Sequence, residues 1–541
     1  MGEILYFCPK QILVCSYISR VRVKARVVYR FLLHKRVKML IANETKDDKK
    51  NRLVIVSNRL PIVLSKNEKD QWQAEQGSGG LVTALAPVLK NRGGLWIGWP
   101  GTSRVQDKTE LQTVFTRAAG EFGYTFEPVF LPESLVNAYY FGFSNQVLWP
   151  LFHDLQTRCD FSPAYWSAYQ KVNEIFARTI AQNIKSPDDH IWVHDYHLMG
   201  VGQALQEHKT NAKIGFFLHI PFPPLDLFLK LPWRFQILES LLCYDLIGFQ
   251  TQRDRRNFVQ CVNAMLKHIK IKGRGQILTT QINGRIVRVG NFPISIDYTE
   301  FAQKAGTRAV EKRIAEIRDV FSSDHLILGV DRLDYSKGIP ERLLAFRNAL
   351  ERYPELTKKI SMVQVVVPSR QRIPEYANLK HEIEQLISEI NGTFTRPGWV
   401  PIHYLYQSVD RTELTALYRA ADIALVTPLK DGMNLVAKEY CAANIHSDGV
   451  LILSEFAGAS SQLYKHALLV NPHDIAGIGD AIYQACHMGL DERKKRMRAL
   501  RRIVKKTDIF WWVDTFLKAV FSHDLDTLGP LEDYIPSQDI S

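Results

Sequence analysis

Short apolar runs that alternate with amphipathic stretches constrain this chain more than any other feature of its sequence. From Leu53 onward each run is apolar on consecutive residues, which is typical of a parallel strand covered by helices on both faces. Such strand–helix alternation predicts an α/β protein with doubly wound sheets. The predicted strands are Leu53–Ser57, Ile191–His194, Ile214–Leu218, Leu246–Phe249, Leu326–Val330, Met362–Val367, Ile423–Thr427 and Val450–Leu453.

The predicted strands form two series, and the break between them falls near residues 291–297, with the sequence NFPISID. We therefore expect two Rossmann-like halves that face each other across a cleft. Helices are predicted at Pro163–Asn183 and Glu413–Ala421, among others. We expect residues 1–51 to be an extension outside the fold, and residues 52–300 and 301–505 to form the two halves. Residues 506–541 are expected to contain a helix, Ile509–Phe521, that folds back, followed by a tail.

The net charge of +13 is concentrated at the start of the chain. Residues 1–38 contain nine Lys and Arg side chains and one Glu, so they carry +8 of that charge. A basic arm can bind nucleic acid or an anionic membrane, and both alternatives stay open for these residues. We expect instead that they lie outside the working fold, and that the protein binds neither nucleic acid nor membrane.

The cysteines and the apolar runs indicate a cytoplasmic protein. The seven cysteines are scattered and include no CxxC pair, so the sequence shows neither a disulfide framework nor a zinc site. No uninterrupted apolar run approaches the roughly 18–20 residues that a membrane span needs. We expect a homo-oligomer that requires no metal ion and no cofactor.

Polar side chains follow the predicted strands, where ligands collect in doubly wound sheets. In the second half, Arg332 and Lys337 share one loop that leads into a helix, which favours binding of a diphosphate. Cations there would stabilise the charge that develops on a leaving nucleotide. An ordinary solvated pair of cations is the alternative for this motif taken alone.

The segment from Asp431 to Glu439 is a second candidate for ligand binding. Gly432 allows a tight turn, Asp431 can accept hydrogen bonds from sugar hydroxyls, and Glu439 can accept them from a ribose. In the first half, Gly77–Leu81 (GSGGL) is a glycine-rich turn without P-loop spacing, and taken alone it is better read as a plain loop. The neighbouring cation Arg59 makes a second phosphate site plausible.

Long motifs, in order from about Leu53 to Phe521, resemble the trehalose-6-phosphate synthase family. They are SNRLP (57–61), GSGGL (77–81), GLWIGWPG (94–101), YYFGFSNQVLWP (139–150), WVHDYHLM (192–199), GFFLHIPFP (215–223), DLIGFQT (245–251), VDRLDYSKGIPER (330–342), VPSR (367–370) and TPLKDGMNLVAKEY (427–440). The resemblance implies a glycosyltransferase-B fold and metal-independent, retaining transfer of glucose from a nucleotide sugar, such as UDP-glucose, to glucose 6-phosphate. Because the chain ends before the phosphatase domain found in some relatives, the expected product is trehalose 6-phosphate.

The resemblance also implies the roles of individual residues. The catalytic set would be Asp195, His219, Arg332 and Lys337. The donor would contact Gly80, His219, Arg332, Lys337, Asp431, Gly432, Met433, Asn434, Leu435, Val436 and Glu439. The acceptor would contact Arg59, Trp99, Tyr140, Trp149, Asp195, Tyr196, His197 and Arg370.

Three alternatives have features that separate them from this interpretation. A sister enzyme such as a glucosylglycerol-phosphate synthase would take a smaller phosphorylated acceptor. A silent sensor of sugar phosphates should lack one of Arg332, Lys337, Asp431 and Glu439, all of which are present. A nucleic-acid-binding protein would depend on residues 1–38. Ser295 departs from the family pattern, since relatives often have glycine there, and it lies at the break between the two halves, where a hinge is expected.

Overall fold

The computed structural model describes residues 52–68, 71–77, 80–102, 108–209, 212–321, 323–370 and 372–521. The extension at 1–51, the Ser78–Gly79 part of the glycine-rich turn and the tail after Phe521, including its Asp-Leu-Asp sequence at 524–526, lie outside the described residues.

The strands of the described residues form two large sheets and one hairpin. In chain order they are β1 (Leu53–Arg59), β2 (Ile62–Lys66), β3 (Trp72–Gln76), β4 (Gly94–Trp99), β5 (Thr125–Pro128), β6 (His190–His194), β7 (Lys213–Phe217), β8 (Leu246–Phe249), β9 (Ile277–Ile282), β10 (Arg285–Asn291), β11 (His325–Arg332), β12 (Ile360–Val367), β13 (Ile402–Leu405), β14 (Ile423–Val426), β15 (Val450–Ser454) and β16 (Leu468–Val470). The first sheet has the order β5-β4-β1-β6-β7-β8-β10-β9, and the second has the order β13-β12-β11-β14-β15-β16.

Both large sheets are parallel, apart from the antiparallel pair of β9 and β10 at one edge of the first. Their central strands are buried along most of their length, because helices cover both faces. Strands β2 and β3 form a separate antiparallel hairpin.

Helices connect most of the parallel strands. In chain order they are α1 (Gly80–Arg92), α2 (Lys108–Phe122), α3 (Glu133–Val136), α4 (Trp149–Phe152), α5 (Pro163–Asn183), α6 (Val201–Glu207), α7 (Leu225–Phe228), α8 (Arg234–Leu241), α9 (Gln252–Met265), α10 (Tyr298–Ala305), α11 (Arg308–Val320), α12 (Ile339–Arg352), α13 (Pro374–Phe394), α14 (Arg411–Ala420), α15 (Leu435–Ala443), α16 (Ser460–Leu463), α17 (Ile475–His487), α18 (Leu490–Lys506) and α19 (Ile509–Phe521). A π-helix occupies Asn137–Leu148, and 3₁₀ turns lie at Gln156–Arg158, Tyr196–Leu198, Tyr335–Lys337 and Pro354–Leu356. Within the described ranges, no helix combines the length and the apolar character of a membrane span.

All of the strands predicted from apolar runs are present, each within two residues of its predicted ends. The helix predicted at Pro163–Asn183 has those bounds, and the helix predicted to begin at Glu413 begins at Arg411. The sequence did not predict the edge strands, such as β5 and β9, because their residues are only partly buried and carry no continuous apolar signal. The buried strand β4 was not predicted either, although its residues lie within one of the motifs. The domain boundaries at 300 and 505 stay a prediction.

The connector between the two series of strands, residues 291–297, is hydrogen-bonded to the first sheet. The backbone N–H of Phe292 donates to the carbonyl of Phe249 at 2.7 Å. The backbone N–H of Ile294 donates to the side-chain oxygen of Gln250 at 2.9 Å. The connector therefore follows β10 and prolongs its pairing with the end of β8, so it is not a free linker. Ser295 within it is buried, and its hydroxyl has no hydrogen-bond partner among the described residues.

The same connector is also held by elements from later in the chain. Lys438 on α15 is buried and donates its ammonium group to the carbonyl of Ile294 at 2.7 Å. The indole N–H of Trp512 donates to the carbonyl of Phe292 at 3.1 Å, and the N–H of Ile509 to that of Ile296 at 3.0 Å. The first sheet, the second half and the last helix thus all meet on one extended segment.

Helix α19 returns to pack on the first sheet. The ring of Phe516 is fully buried and stacks on Trp192 of β6, with centroids 4.2 Å apart and planes inclined by 7°. The neighbouring strands present Gly215 and Gly248 to it, where an added Cβ would come within 2.9 and 2.7 Å of the Phe516 ring. Glycine at these positions lets the helix approach the sheet closely.

We expect Phe516→Ala to lower the free energy of unfolding by about 3–5 kcal/mol, because it leaves a cavity against Trp192. Denaturant unfolding followed by tryptophan fluorescence measures this loss. Phe510→Ala on the same helix is the matched control, since Phe510 is 37% exposed, and it should cost less than about 1 kcal/mol. Equal losses for the two variants would contradict the packing of α19 on the sheet.

Candidate functional site

The predicted site residues lie at the carboxyl ends of the strands that the sequence indicated. Asp195 follows β6 and His219 lies two residues beyond β7. In the second sheet, Arg332 ends β11 and Arg370 follows β12, while Asp431 lies five residues beyond β14. Hydrogen bonds between side chains join the two sides of the cleft.

A buried carboxylate, that of Asp334, makes one of these connections. It accepts hydrogen bonds from the indole N–H of Trp149 at 3.3 Å and from the guanidinium of Arg370 at 3.1 Å. Burial alone would raise the pKa of Asp334, but Arg370, Lys337 and Arg332 outweigh that effect and lower the pKa to about 2. Asp334 is therefore a permanent negative charge that holds Trp149 from the first half against cations of the second.

Arg370 is almost enclosed by aromatic and acidic groups. Its guanidinium lies 3.9 Å from the centroid of the Trp149 ring and donates to the hydroxyls of Tyr376 at 2.5 Å and Tyr196 at 3.3 Å. Only 6% of its side chain is exposed. Arg370 has a positive φ of 46°, a strained conformation for a side chain of this size that turns it inward from the end of β12.

The predicted acceptor residues of the first half form a continuous row. The guanidinium of Arg59 lies 4.6 Å from the centroid of the Trp99 ring, and the centroids of the Trp99 and Tyr140 rings are 6.1 Å apart. Tyr140 stacks on His197 with planes inclined by 11°, and His197 in turn lies 3.9 Å from the ring of Tyr196. The row runs from the exposed cation Arg59 to the buried hydroxyl of Tyr196.

The π-helix at Asn137–Leu148 delivers Tyr140 to this row and leads into Trp149. Its wide turns are closed by side chains: the amide of Asn145 donates to the carbonyl of Tyr140 at 2.6 Å, and that of Gln146 donates to the carbonyl of Phe141 at 3.1 Å. Asn145 also accepts from the hydroxyl of Tyr196 at 3.0 Å. π-helical turns are frequent at functional sites.

Asp195 directly follows β6 and contacts residues of both predicted substrate regions. Its φ of 75° places it in a backbone region that side-chain-bearing residues seldom adopt, and its carboxylate accepts from the backbone N–H of His219 at 3.2 Å. Burial raises the pKa of Asp195 to about 6, against the opposing effect of hydrogen bonds from Tyr196 and His219 and of the cations Arg332 and Arg370. The carboxylate can therefore accept a hydrogen bond from a hydroxyl group at neutral pH.

The predicted donor residues of the second half form a charged pair beside an exposed cation. Lys337 donates to the carboxylate of Asp431 at 2.6 Å, and the amide of Asn434 donates to the same oxygen at 3.2 Å. Burial opposes ionisation of Asp431, but Lys337 outweighs it and lowers the pKa of Asp431. Arg332 is exposed, and its guanidinium lies 5.8 Å from the centroid of the Trp149 ring. Arg332 is thus the cation that is open to an incoming anion.

The loop after Asp431 presses against the first half. A Cβ built on Gly432 would overlap the carbonyl oxygen of His219, so only glycine allows this approach. Asn434, with a φ of 72°, caps the N-terminus of α15 by accepting from the N–H of Ala437 at 3.3 Å. The donor loop and His219 are therefore in direct contact.

The remaining predicted donor residues lie around α15 and α1. Met433 is buried, while Leu435 and Val436 are half-buried in the first turn of α15. The carboxylate of Glu439 accepts from the hydroxyl of Tyr418 at 2.7 Å, and burial raises its pKa. Gly80 is the first residue of α1.

Several residues that organise the site were not predicted from the sequence. Asp334, Asn145 and Gln250 all lie inside motifs, but each acts through a partner distant in the chain, and Asp334 and Trp149 are 185 residues apart. A local signal existed for Asp334 alone. It caps the 3₁₀ turn before Lys337 by accepting from the backbone N–H of Ser336 at 3.0 Å, and Asp-x-Ser is a common turn signature.

Among the described residues, no group of three or more His, Cys, Asp and Glu side chains has the arrangement of a metal site.

The fold and the sequence both match known proteins. One solved structure is an alpha,alpha-trehalose-phosphate synthase (UDP-forming) from Burkholderia xenovorans in complex with glucose-6-phosphate, with a TM-score of 0.77, 35% identity, and coverage of 87% of this chain and 100% of that one. Another, "Trehalose-6-phosphate from E. coli bound with UDP-2-fluoro glucose", has a TM-score of 0.77 and 36% identity, covering 87% and 99%. The two Rossmann-like halves and their cleft thus define a glycosyltransferase-B fold.

Relatives in sequence give the same result. The trehalose-6-phosphate synthase of Mycolicibacterium gilvum is 41% identical over 488 residues, which is 89% of this chain and 96% of that protein. The alpha,alpha-trehalose-phosphate synthase [UDP-forming] A of Dictyostelium discoideum is 41% identical over 473 residues, and the match covers 86% of this chain but 62% of that protein. The model of glycosyltransferase family 20 matches residues 51–521. The chain belongs to glycosyltransferase family 20.

We expect Gly432→Ala to lower the free energy of unfolding by about 1–3 kcal/mol, because the new methyl group must displace the His219 carbonyl or the whole loop. Thermal and denaturant unfolding measure the change. Gly392→Ala inside α13 is the matched control, since a Cβ there meets no atom within 4 Å, and it should be neutral or slightly stabilising. A neutral Gly432→Ala would show that the loop does not press on His219.

Proposed function

We propose that this chain is a retaining glucosyltransferase that moves glucose from UDP-glucose to glucose 6-phosphate and releases UDP and α,α-trehalose 6-phosphate. The observation that carries the proposal is the pair of cation-bearing sites that face each other across one cleft and meet at Asp334. Relatives named as UDP-forming trehalose-phosphate synthases, one of them solved with glucose-6-phosphate, support the choice of substrates.

On the donor side, Arg332 and Lys337 would hold the diphosphate, with the amide of Gly80 as a further donor. Arg332 is exposed, whereas Lys337 is paired with Asp431, so an arriving diphosphate would share Lys337 with that carboxylate. The loop Asp431-Gly432-Met433-Asn434-Leu435-Val436 would contact the sugar and phosphates, since it lies against His219, which would cover the glucose. Glu439 would accept from the ribose hydroxyls.

On the acceptor side, Arg59, Tyr140 and Arg370 would bind the phosphate of glucose 6-phosphate. Arg59 lies over the ring of Trp99 and Arg370 over the ring of Trp149, so both cations belong to the same aromatic surface, which supports a phosphorylated acceptor there. The further residues that would surround the acceptor sugar are Trp99, Trp149, Asp195, Tyr196 and His197.

The reaction we propose is a substitution on the face that the nucleotide leaves. The bond between the anomeric carbon and the diphosphate breaks, the bond to the hydroxyl oxygen of the acceptor forms on the same face, and the proton of that hydroxyl passes to an oxygen of the departing diphosphate. Arg332 and Lys337 would stabilise the charge on that group as it develops. Asp195 would orient the acceptor hydroxyl. No carboxylate pair spaced as in retaining glycosidases is needed for this route.

The cell compartment and assembly belong to the proposal as well. We propose a cytoplasmic enzyme, because Cys159, Cys243, Cys261, Cys441 and Cys486, the cysteines within the described residues, are all free thiols. The expected homo-oligomer stays a prediction, as does the absence of nucleic-acid binding.

Product identification with purified protein tests the proposed function directly. Glucose 6-phosphate or glycerol 3-phosphate would be combined in turn with UDP-, ADP- and GDP-glucose, with EDTA present throughout. Trehalose 6-phosphate formed from UDP-glucose in EDTA is the expected result. Product from glycerol 3-phosphate alone would assign the chain to the sister activity, and no product from any pair would favour a silent sensor.

Arg332→Ala should reduce turnover at least about a hundredfold, because it removes a cation from the leaving group in the transition state. Steady-state kinetics with saturating substrates measure this. Arg347→Ala is the control, since Arg347 is half-exposed on α12 and pairs only with Glu351 on the same helix. Near-normal turnover in Arg332→Ala would exclude the proposed role.

Arg370→Lys should raise the Michaelis constant for glucose 6-phosphate about tenfold or more, and it should change the Michaelis constant for the donor less. The reason is that the ammonium group of lysine cannot make the paired hydrogen bonds that a planar guanidinium makes to a phosphate. Lysine is preferred to alanine here because Asp334 would otherwise lose its buried cationic partner. Arg372→Lys, whose side chain is 70% exposed, is the matched control. An unchanged acceptor constant would remove Arg370 from the phosphate site.

A further inference from the structure

Gln250, directly after β8, has an amide group whose orientation is fixed by the connector. The residue is 1% exposed, and the backbone N–H of Ile294 lies 2.9 Å from Oε1. A backbone N–H can only donate, so the amide atom that faces it must be the oxygen. The NH₂ group of Gln250 is therefore directed to its other neighbour.

That other neighbour is the imidazole ring of His219. Nε2 of Gln250 lies 3.5 Å from Nδ1 of His219, which is longer than an ordinary hydrogen bond but short enough for two N–H groups pointing at each other to repel. Because the NH₂ group can only donate, Nδ1 must present a lone pair to it. In a neutral imidazole the proton then lies on Nε2.

Nδ1 of His194 on β6 accepts the hydrogen bond from this N–H. Nε2 of His219 lies 3.2 Å from Nδ1 of His194, a distance that requires one nitrogen to donate and the other to accept. With Nε2–H of His219 as the donor, His194 carries its own proton on Nε2, which is buried without a hydrogen-bond partner among the described residues. The hydrogen bonds thus form a chain. The backbone N–H of Ile294 donates to Oε1 of Gln250, Nε2 of Gln250 donates to Nδ1 of His219, and Nε2 of His219 donates to Nδ1 of His194.

Charge does not set this arrangement. Burial lowers the pKa of His219 to about 3 and lowers that of His194 well below its usual value, so both rings are neutral at neutral pH. The rings of Phe217 and Trp512 flank His219 at 4.7 and 6.1 Å, and the carboxylate of Asp195 accepts from the backbone N–H of His219, not from its ring. The amide of Gln250 is the group that distinguishes the two ring nitrogens.

We propose that Gln250 is a positioning residue that holds His219 as the neutral Nε2–H tautomer and so makes Nδ1 a hydrogen-bond acceptor. The ligand group that Nδ1 can take is then a donor, of the class of a sugar hydroxyl, which can share or replace the long bond from Gln250. This second statement rests on the proposed function, because it assumes that the donor sugar lies beside His219. The tautomer itself does not.

Nitrogen-15 NMR of the imidazole rings tests the tautomer in the full-length protein without substrate. The chain is labelled at histidine, and His219→Asn identifies the signals of that ring. The proposal expects a protonated shift at Nε2 and an unprotonated shift at Nδ1. The opposite pattern in the wild-type protein would overturn it, and this result needs no variant of Gln250.

Gln250→Glu is the informative substitution, because a carboxylate still accepts from Ile294 but offers Nδ1 an acceptor in place of a donor. We expect Nδ1 to become protonated and the Michaelis constant for UDP-glucose to rise about tenfold, with a smaller change for glucose 6-phosphate. Gln276→Glu is the matched control: Gln276 is buried and donates to the carbonyl of Asn291 at the start of the connector at 2.8 Å, but it does not contact His219.

The two readouts separate the inference from the proposed function. A changed tautomer with no activity in either protein would keep the positioning role and remove the proposed reaction. An unchanged tautomer in Gln250→Glu, or the same change in Gln276→Glu, would overturn the positioning role even if the enzyme makes the expected product.

Discussion

The cleft depends on the carboxylate of Asp334, which is buried where the two halves meet. A buried charge is costly unless it is paired, and Asp334 is paired with Arg370 and surrounded by donors from both sides, including Trp149. The same carboxylate caps the turn that presents Lys337. A single negative charge thus gathers the cations that two anionic substrates would need.

The relation between the halves is set by a second feature, the connector at 291–297. Its residues are hydrogen-bonded to three different parts of the chain: Gln250 at the end of β8, Lys438 on α15 and Trp512 on α19. Lys438 is fully buried, which lowers its pKa to about 7. Because α15 also carries the loop that touches His219, a change in the connector would be transmitted to that contact.

The sequence predicted the buried centre of both sheets well, because strands covered on both faces must be apolar on every residue. It predicted the strand ends that carry Asp195 and Arg332 for the same reason, since chemistry in this architecture collects there. It did not predict half-exposed edges such as β9, or polar residues such as Asp334 and Gln250. Their importance comes from partners brought near by folding, and no local pattern in the chain encodes those pairs.

The π-helix at Asn137–Leu148 makes the acceptor side sensitive to the number of residues in this segment as well as to their identity. Each residue added to or removed from a π-helix rotates the later residues about the helix axis by about a quarter of a turn. Removing one residue between Tyr140 and Trp149 would leave both aromatic rings in the sequence and turn them away from a common surface. Variation in this segment is therefore constrained to substitutions, and an insertion or deletion there would erase the pocket even if every contacting residue were kept.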